Sequence, residues 1–144
     1  MKPPSITDWT ELEESERLDL VLAYHQMQGD KLPNPDAHAV VHVIVENQVA
    51  LADETPVAAA MERLMQERLD RHEAIHAIGY VFTGTFHEAA QDNNEAYPTS
   101  AYYRELMRLS AECWLSQDLK TVQSSSRRCS KPCNLAPRSS MALR

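Results

Sequence analysis

Between Asn34 and Leu51 the chain places His38, His42 and Glu46 at a constant spacing of four, in a run otherwise dominated by Val, Ile, Ala and Leu. Asn34-Pro35-Asp36 opens it with an N-cap residue, a proline at the first helical position and a first-turn acid. Five valines and an isoleucine would also permit a strand, but the cap, the length and the alanines favour a helix. In either conformation His38, His42 and Glu46 share one face. A helix that is apolar nearly all round is central in its fold, so this row is buried or half-buried. A buried polar group without a partner costs roughly 1–3 kcal/mol. Whatever the chain folds into must therefore satisfy three consecutive polar positions, by a hydrogen-bonded network across a helix interface or by a metal ion.

A second pair has the same spacing. His72-Glu73-Ala74-Ile75-His76 reads His-Glu-x-x-His, and on a helix successive residues turn by about 100°, which stacks the two imidazoles on one face with room for one ion. Zinc peptidases use this pattern with the glutamate as general base. Glu73 has a competing structural role, because Asp70 three residues earlier makes a capping-box pair with it. His25 falls near the last turn of its helix, where a cation complements the helix dipole, and is read as structural or surface. His87 lies close to a helix end and is read as surface. Cys113 is read as a small core residue.

Around these rows the sequence predicts an all-α fold, a small bundle of about five helices over residues 1–120. Helix one is expected from about Thr10 to Gln28, with Leu12, Leu18, Val21, Leu22 and His25 inward, Glu13, Glu14, Glu16 and Arg17 outward, and Trp9 folded back as a plug. Helix two runs from Pro35 to Leu51. Helix three covers Val57 to Arg68 with Val57, Ala60, Met61, Leu64 and Met65 as its core stripe. Helix four starts after Asp70 and continues to about Ala90, its Gly79 and Gly84 permitting close approach of a neighbour. A loop at 91–98 precedes helix five, whose inner stripe is Tyr103, Leu106, Met107, Ser110, Cys113 and Trp114. Residues 121–144 form a basic, Ser/Pro/Arg-rich tail expected to be disordered. Its Cys129 and Cys133 lack a second pair to complete a metal clip.

The chain has 14 basic and 21 acidic residues, and five of the basic ones lie in the tail with no acid beside them. The body is thus strongly acidic, which disfavours nucleic acid and anionic lipid and favours cations. No apolar run approaches the roughly 18 residues of a membrane span. Met1-Lys2-Pro3-Pro4-Ser5 lacks the apolar core of a signal peptide, and three cysteines do not make a disulfide framework, so a cytoplasmic protein with reduced thiols is expected. A homo-oligomer is compatible with the sequence.

If helices two to four alternate in direction, the ladders of helices two and four sit side by side, and His38, His42, Glu46, His72 and His76 become candidate ligands of one divalent transition metal. Zinc is the first expectation and iron or nickel the others. The residues His38-x-x-x-His42-x-x-x-Glu46-x-Gln48, then Arg63-Leu64, then His72-Glu73-Ala74-x-His76-Ala77-Ile78 resemble the bacterial domain of unknown function 1841 family or a close sibling, over about residues 36–80. The resemblance implies a small helical cytoplasmic bacterial protein with no assigned activity. Three functions compete: a metal-binding helical bundle, a zinc-dependent hydrolase with Glu73 as general base, and a non-metal scaffold or interaction protein with a buried histidine network. Against the hydrolase, Phe82 stands where a metzincin needs histidine, and Glu95, at the spacing of a downstream ligand, falls in a loop.

Overall fold

A computed structural model describes residues 6–92 and 98–121, and every regular element among them is helical. Glu95 and the tail beyond Thr121, with Cys129 and Cys133, lie outside the described residues. The chain divides into two compact units, Met1–Ala58 and Ala59–Arg144. Among the described residues no helix is long and apolar enough to cross a membrane.

The first unit contains α1 (Ile6–Glu11), α2 (Glu14–Gln28), α3 (Pro35–Ala50) and a 3₁₀ turn at Ala52–Glu54. The single helix expected from Thr10 to Gln28 is two helices. The physical reason is local: Glu13 adopts an extended conformation, and the Glu16 carboxylate reaches back to accept its N–H at 2.8 Å, as in a capping box. The acids read as merely outward-facing therefore start a helix. The break folds Trp9 into a core with Val21, Ala39 and Val43, flanked by Leu12, Leu18, Leu20, Leu22 and Ala50. The Trp9 indole N–H donates to Asn47 Oδ1 at 2.8 Å. Arg17, expected to face outward, is half-buried. It donates to the same Asn47 oxygen at 2.8 Å and to the Thr10 carbonyl at 3.2 Å, with its guanidinium 5.6 Å from the Trp9 ring centroid. These bonds tie α1 and α2 to α3. The Asn34 side chain accepts from Ala37 N–H at 3.1 Å, so α3 begins where its sequence cap places it.

The chain continues through α4 (Val57–Gln66), α5 (Arg71–Gln91), α6 (Thr99–Arg108) and α7 (Ala111–Thr121). Helix α4 ends two residues earlier than its composition suggests, in a Schellman turn. Arg68 takes φ 83°, its N–H bonds to Met65 O at 3.0 Å and the N–H of Leu69 to Leu64 O at 3.1 Å, while Leu64 and Leu69 are buried together. Met65 is exposed and does not belong to the core stripe. The turn delivers Asp70, whose carboxylate accepts from Glu73 N–H at 2.9 Å and caps α5.

The single helix expected to carry the stripe from Tyr103 to Trp114 also divides. Leu109 is extended, and the Ser110 hydroxyl accepts from Cys113 N–H at 3.1 Å to start α7. One side chain of α4 and one of the turn that follows it contact this break. Arg63 donates to the carbonyls of Leu106, at 2.9 Å, and of Leu109, while Glu67 accepts from Ala111 N–H at 2.7 Å. The break re-registers the helix face: Tyr102, Leu106, Leu109 and Ala111 are buried, whereas Met107, read as inward, is 78% exposed. Tyr102 stands edge-on to Phe82, with ring centroids 5.4 Å apart. Burial, and secondarily the neighbouring Tyr103, pushes its phenol well above the ordinary range.

Gly84 does not mediate a close approach, since a Cβ built there meets nothing within 4 Å. It sits inside α5 without a positive φ, so glycine there only adds flexibility to the unfolded chain. Gly84→Ala is expected to raise stability by about 0.5–1 kcal/mol, read as a higher urea midpoint at unchanged slope. A lower midpoint would show that the glycine serves packing after all.

Candidate metal centre

The C-terminus of α2 is built to turn sharply. Gly29 takes φ 76°, in the left-handed region, its N–H bonds to Gln26 O at 3.1 Å and the N–H of Asp30 bonds to His25 O at 3.1 Å. This is a Schellman motif, and its wider bond brings Asp30 beside His25. The Asp30 carboxylate lies 2.7 Å from His25 Nδ1. His25 itself is buried, in keeping with its place on the inward stripe and against the surface alternative, and its ring points toward α3.

Helix α3 packs along α2 and supplies His38 and His42 from its first three turns. His42 Nε2 lies 3.3 Å from His25 Nε2 and 3.1 Å from His38 Nε2. The rings pair closely, with centroids 4.6 Å apart for His25 and His38, 4.9 Å for His25 and His42, and 4.7 Å for His38 and His42. His42 is buried and His38 half-buried. The structure therefore joins the upstream ladder to a histidine 17 positions before His42. Glu46 is half-buried one turn on, outside the group of ligand atoms that includes these three within 4.8 Å of one another.

Hydrogen bonding alone accounts poorly for this arrangement. A ring nitrogen of imidazole carries either one proton or one in-plane lone pair. His42 Nε2 can thus make one well-directed bond, yet it has a ring nitrogen of His25 on one side and of His38 on the other. A cation at their centre would satisfy all three through their lone pairs. Zinc–nitrogen distances of about 2.0–2.1 Å in a tetrahedron put neighbouring nitrogens about 3.3 Å apart, close to both observed separations. Clustered histidines of this kind could hold a metal ion.

The downstream pair is also formed. His72 and His76, in the second unit, stack on α5 with ring centroids 4.3 Å apart, and both are half-buried. Between them Glu73 has a partner other than the capping box suggested: its backbone N–H is capped by Asp70, but its carboxylate accepts the indole N–H of Trp114 at 2.7 Å. The bond joins α5 to α7. Exposed His87 has its Nε2 3.0 Å from the amide nitrogen of Gln91, in keeping with a surface role, and Cys113 is buried, in keeping with a core role.

His25 is the residue that sequence reasoning left out of the candidate ligands. The signal was present, because it continues the apolar stripe of Leu18, Val21 and Leu22 at helical spacing, and a polar residue on a core stripe requires a partner. Its position near a helix end offered the dipole as a sufficient explanation.

No curated protein and no solved structure matches the chain. A family model does match, over residues 9–108, a span that includes all six histidines, and on that match the chain belongs to the family described as a domain of unknown function (DUF1841).

Proposed function

We propose that this protein binds a divalent transition metal through His25, His38 and His42. The observation that carries the reading is the position of His42 Nε2 between two other imidazole nitrogens, at 3.1 and 3.3 Å. An all-nitrogen donor set suits zinc, nickel, iron and Cu(II), with zinc first because it imposes no geometry of its own. The acidic composition raises the local concentration of cations and supports the same reading. The proposal that His72, His76 and Glu46 also ligate metal rests on their spacing in the sequence. Alanine at both His72 and His76 is expected to weaken zinc binding.

The test is elemental analysis of protein expressed in zinc-supplemented medium, paired with melting in the presence and absence of a chelator. At least one equivalent of metal and a lower melting temperature after chelation are expected. Metal-free protein whose melting is indifferent to zinc and to chelator would leave the histidines as a polar network within a scaffold. For the hydrolase reading, the bond from Trp114 gives Glu73 a structural task, and no further observation favours catalysis.

A further inference from the structure

We infer that Asp30 is a positioning residue for the metal centre, fixing the tautomer of His25 so that Nε2 presents its lone pair to the ion. The inference rests on the metal reading above and extends it beyond the ligands. Its basis is the 2.7 Å contact between Asp30 Oδ2 and His25 Nδ1. A carboxylate accepts and does not donate, so the proton of a neutral His25 ring resides on Nδ1 and Nε2 is left unprotonated. That same Nε2 faces His42. The buried imidazole and its more exposed carboxylate form the outer half of a carboxylate–histidine–metal relay, the arrangement that orients a ligand ring and raises its basicity.

The placement is built into the fold. Gly29 reaches a positive φ at no steric cost, and the N–H of Asp30 is held by the carbonyl of His25 itself. The backbone of residue 30 is thereby fixed against the residue it serves, independently of its side chain. Substituting Asp30 leaves the turn's hydrogen bonds available, so its effect on metal can be separated from an effect on folding.

The experiment has two arms on the full chain. In metal-free wild type, long-range ¹H–¹⁵N correlation of the histidine rings is expected to show His25 protonated on Nδ1 and unprotonated on Nε2, whereas in Asp30→Ala the preference is lost. Zinc titration by calorimetry is expected to show Asp30→Ala binding about 10- to 100-fold more weakly than wild type. Asp30→Asn, whose amide oxygen still accepts from Nδ1–H, retains the tautomer and recovers part of the affinity. That variant also carries the test if Asp30→Ala does not fold. A wild type that binds zinc, together with variants that bind it equally well, overturns the assignment of Asp30 alone, as does a metal-free His25 protonated on Nε2. A wild type that binds no zinc overturns the metal reading and this assignment with it.

Discussion

Alanine at position 42 is expected to lower zinc affinity by about 100-fold or more, equivalent to about 2.7 kcal/mol of binding free energy. His42 is the ligand whose loss should matter most, because it is buried and its Nε2 lies within 3.3 Å of a ring nitrogen of each of the other two. The effect is best read through stability. A ligand that binds only the folded state at a free concentration 100 times its Kd contributes about 2.7 kcal/mol, which moves the melting temperature by several degrees for a domain of this size. Wild type should show that difference between zinc and chelator, and His42→Ala should show almost none. Comparing each protein with itself removes the cost of the cavity left by a buried ring. Loss of His38, half-buried at the outer end of the row, should reduce the zinc effect in the same direction. A His42→Ala variant that keeps the full zinc response would place the ion on other donors and sink the three-histidine site.

The helical class and the histidine rows were legible because both depend on short periods: a spacing of four keeps His38 with His42, and His72 with His76, in any helix. The caps at Asn34 and Asp70 were legible for the same reason, as each is decided within four residues. What escaped required knowledge of a neighbouring element. His25 belongs with His38 and His42 through the packing of α2 on α3, which no local pattern encodes. Glu73 follows the capping-box spelling, yet its carboxylate goes to Trp114, 41 residues away. The division of the last long helix is a mixed case. Ser110 can start a helix wherever it stands, but the uninterrupted apolar period from Tyr103 to Trp114 outweighed it. Leu109 is extended and Met107 faces outward where Arg63 and Glu67 approach from α4 and the turn after it, a contact that no local pattern encodes.

That clamp carries the second large effect. Arg63 stands in one of the short motifs through which the sequence resembles its family, and its guanidinium donates to the carbonyl of Leu106, in the last turn of α6, and to that of Leu109, the residue that caps it. Helix C-termini leave such carbonyls without intrahelical donors, and a cation there also complements the helix dipole. Four residues on, Glu67 accepts the N–H of Ala111 at the start of α7, where an anion is the matching charge. The ion pair between them, at 3.3 Å with both side chains about a third exposed, contributes only a few tenths of a kcal/mol itself. The weight lies in the bonds to backbone. Charge-assisted hydrogen bonds are worth about 1.5–3 kcal/mol each, and partial access of water lowers the sum, so Arg63→Ala is expected to cost about 2–4 kcal/mol in urea unfolding. Arg63→Lys should recover at most about half, since an ammonium lacks the planar fork that spans two carbonyls. Glu67→Ala should cost about 1 kcal/mol, the loss of one cap. If Lys restores full stability, charge at the helix end suffices and the fork is irrelevant. If even Ala costs less than about 1 kcal/mol, the α6–α7 break is held by the burial of Leu109 and Ala111 instead, and the two backbone bonds follow from the packing rather than direct it.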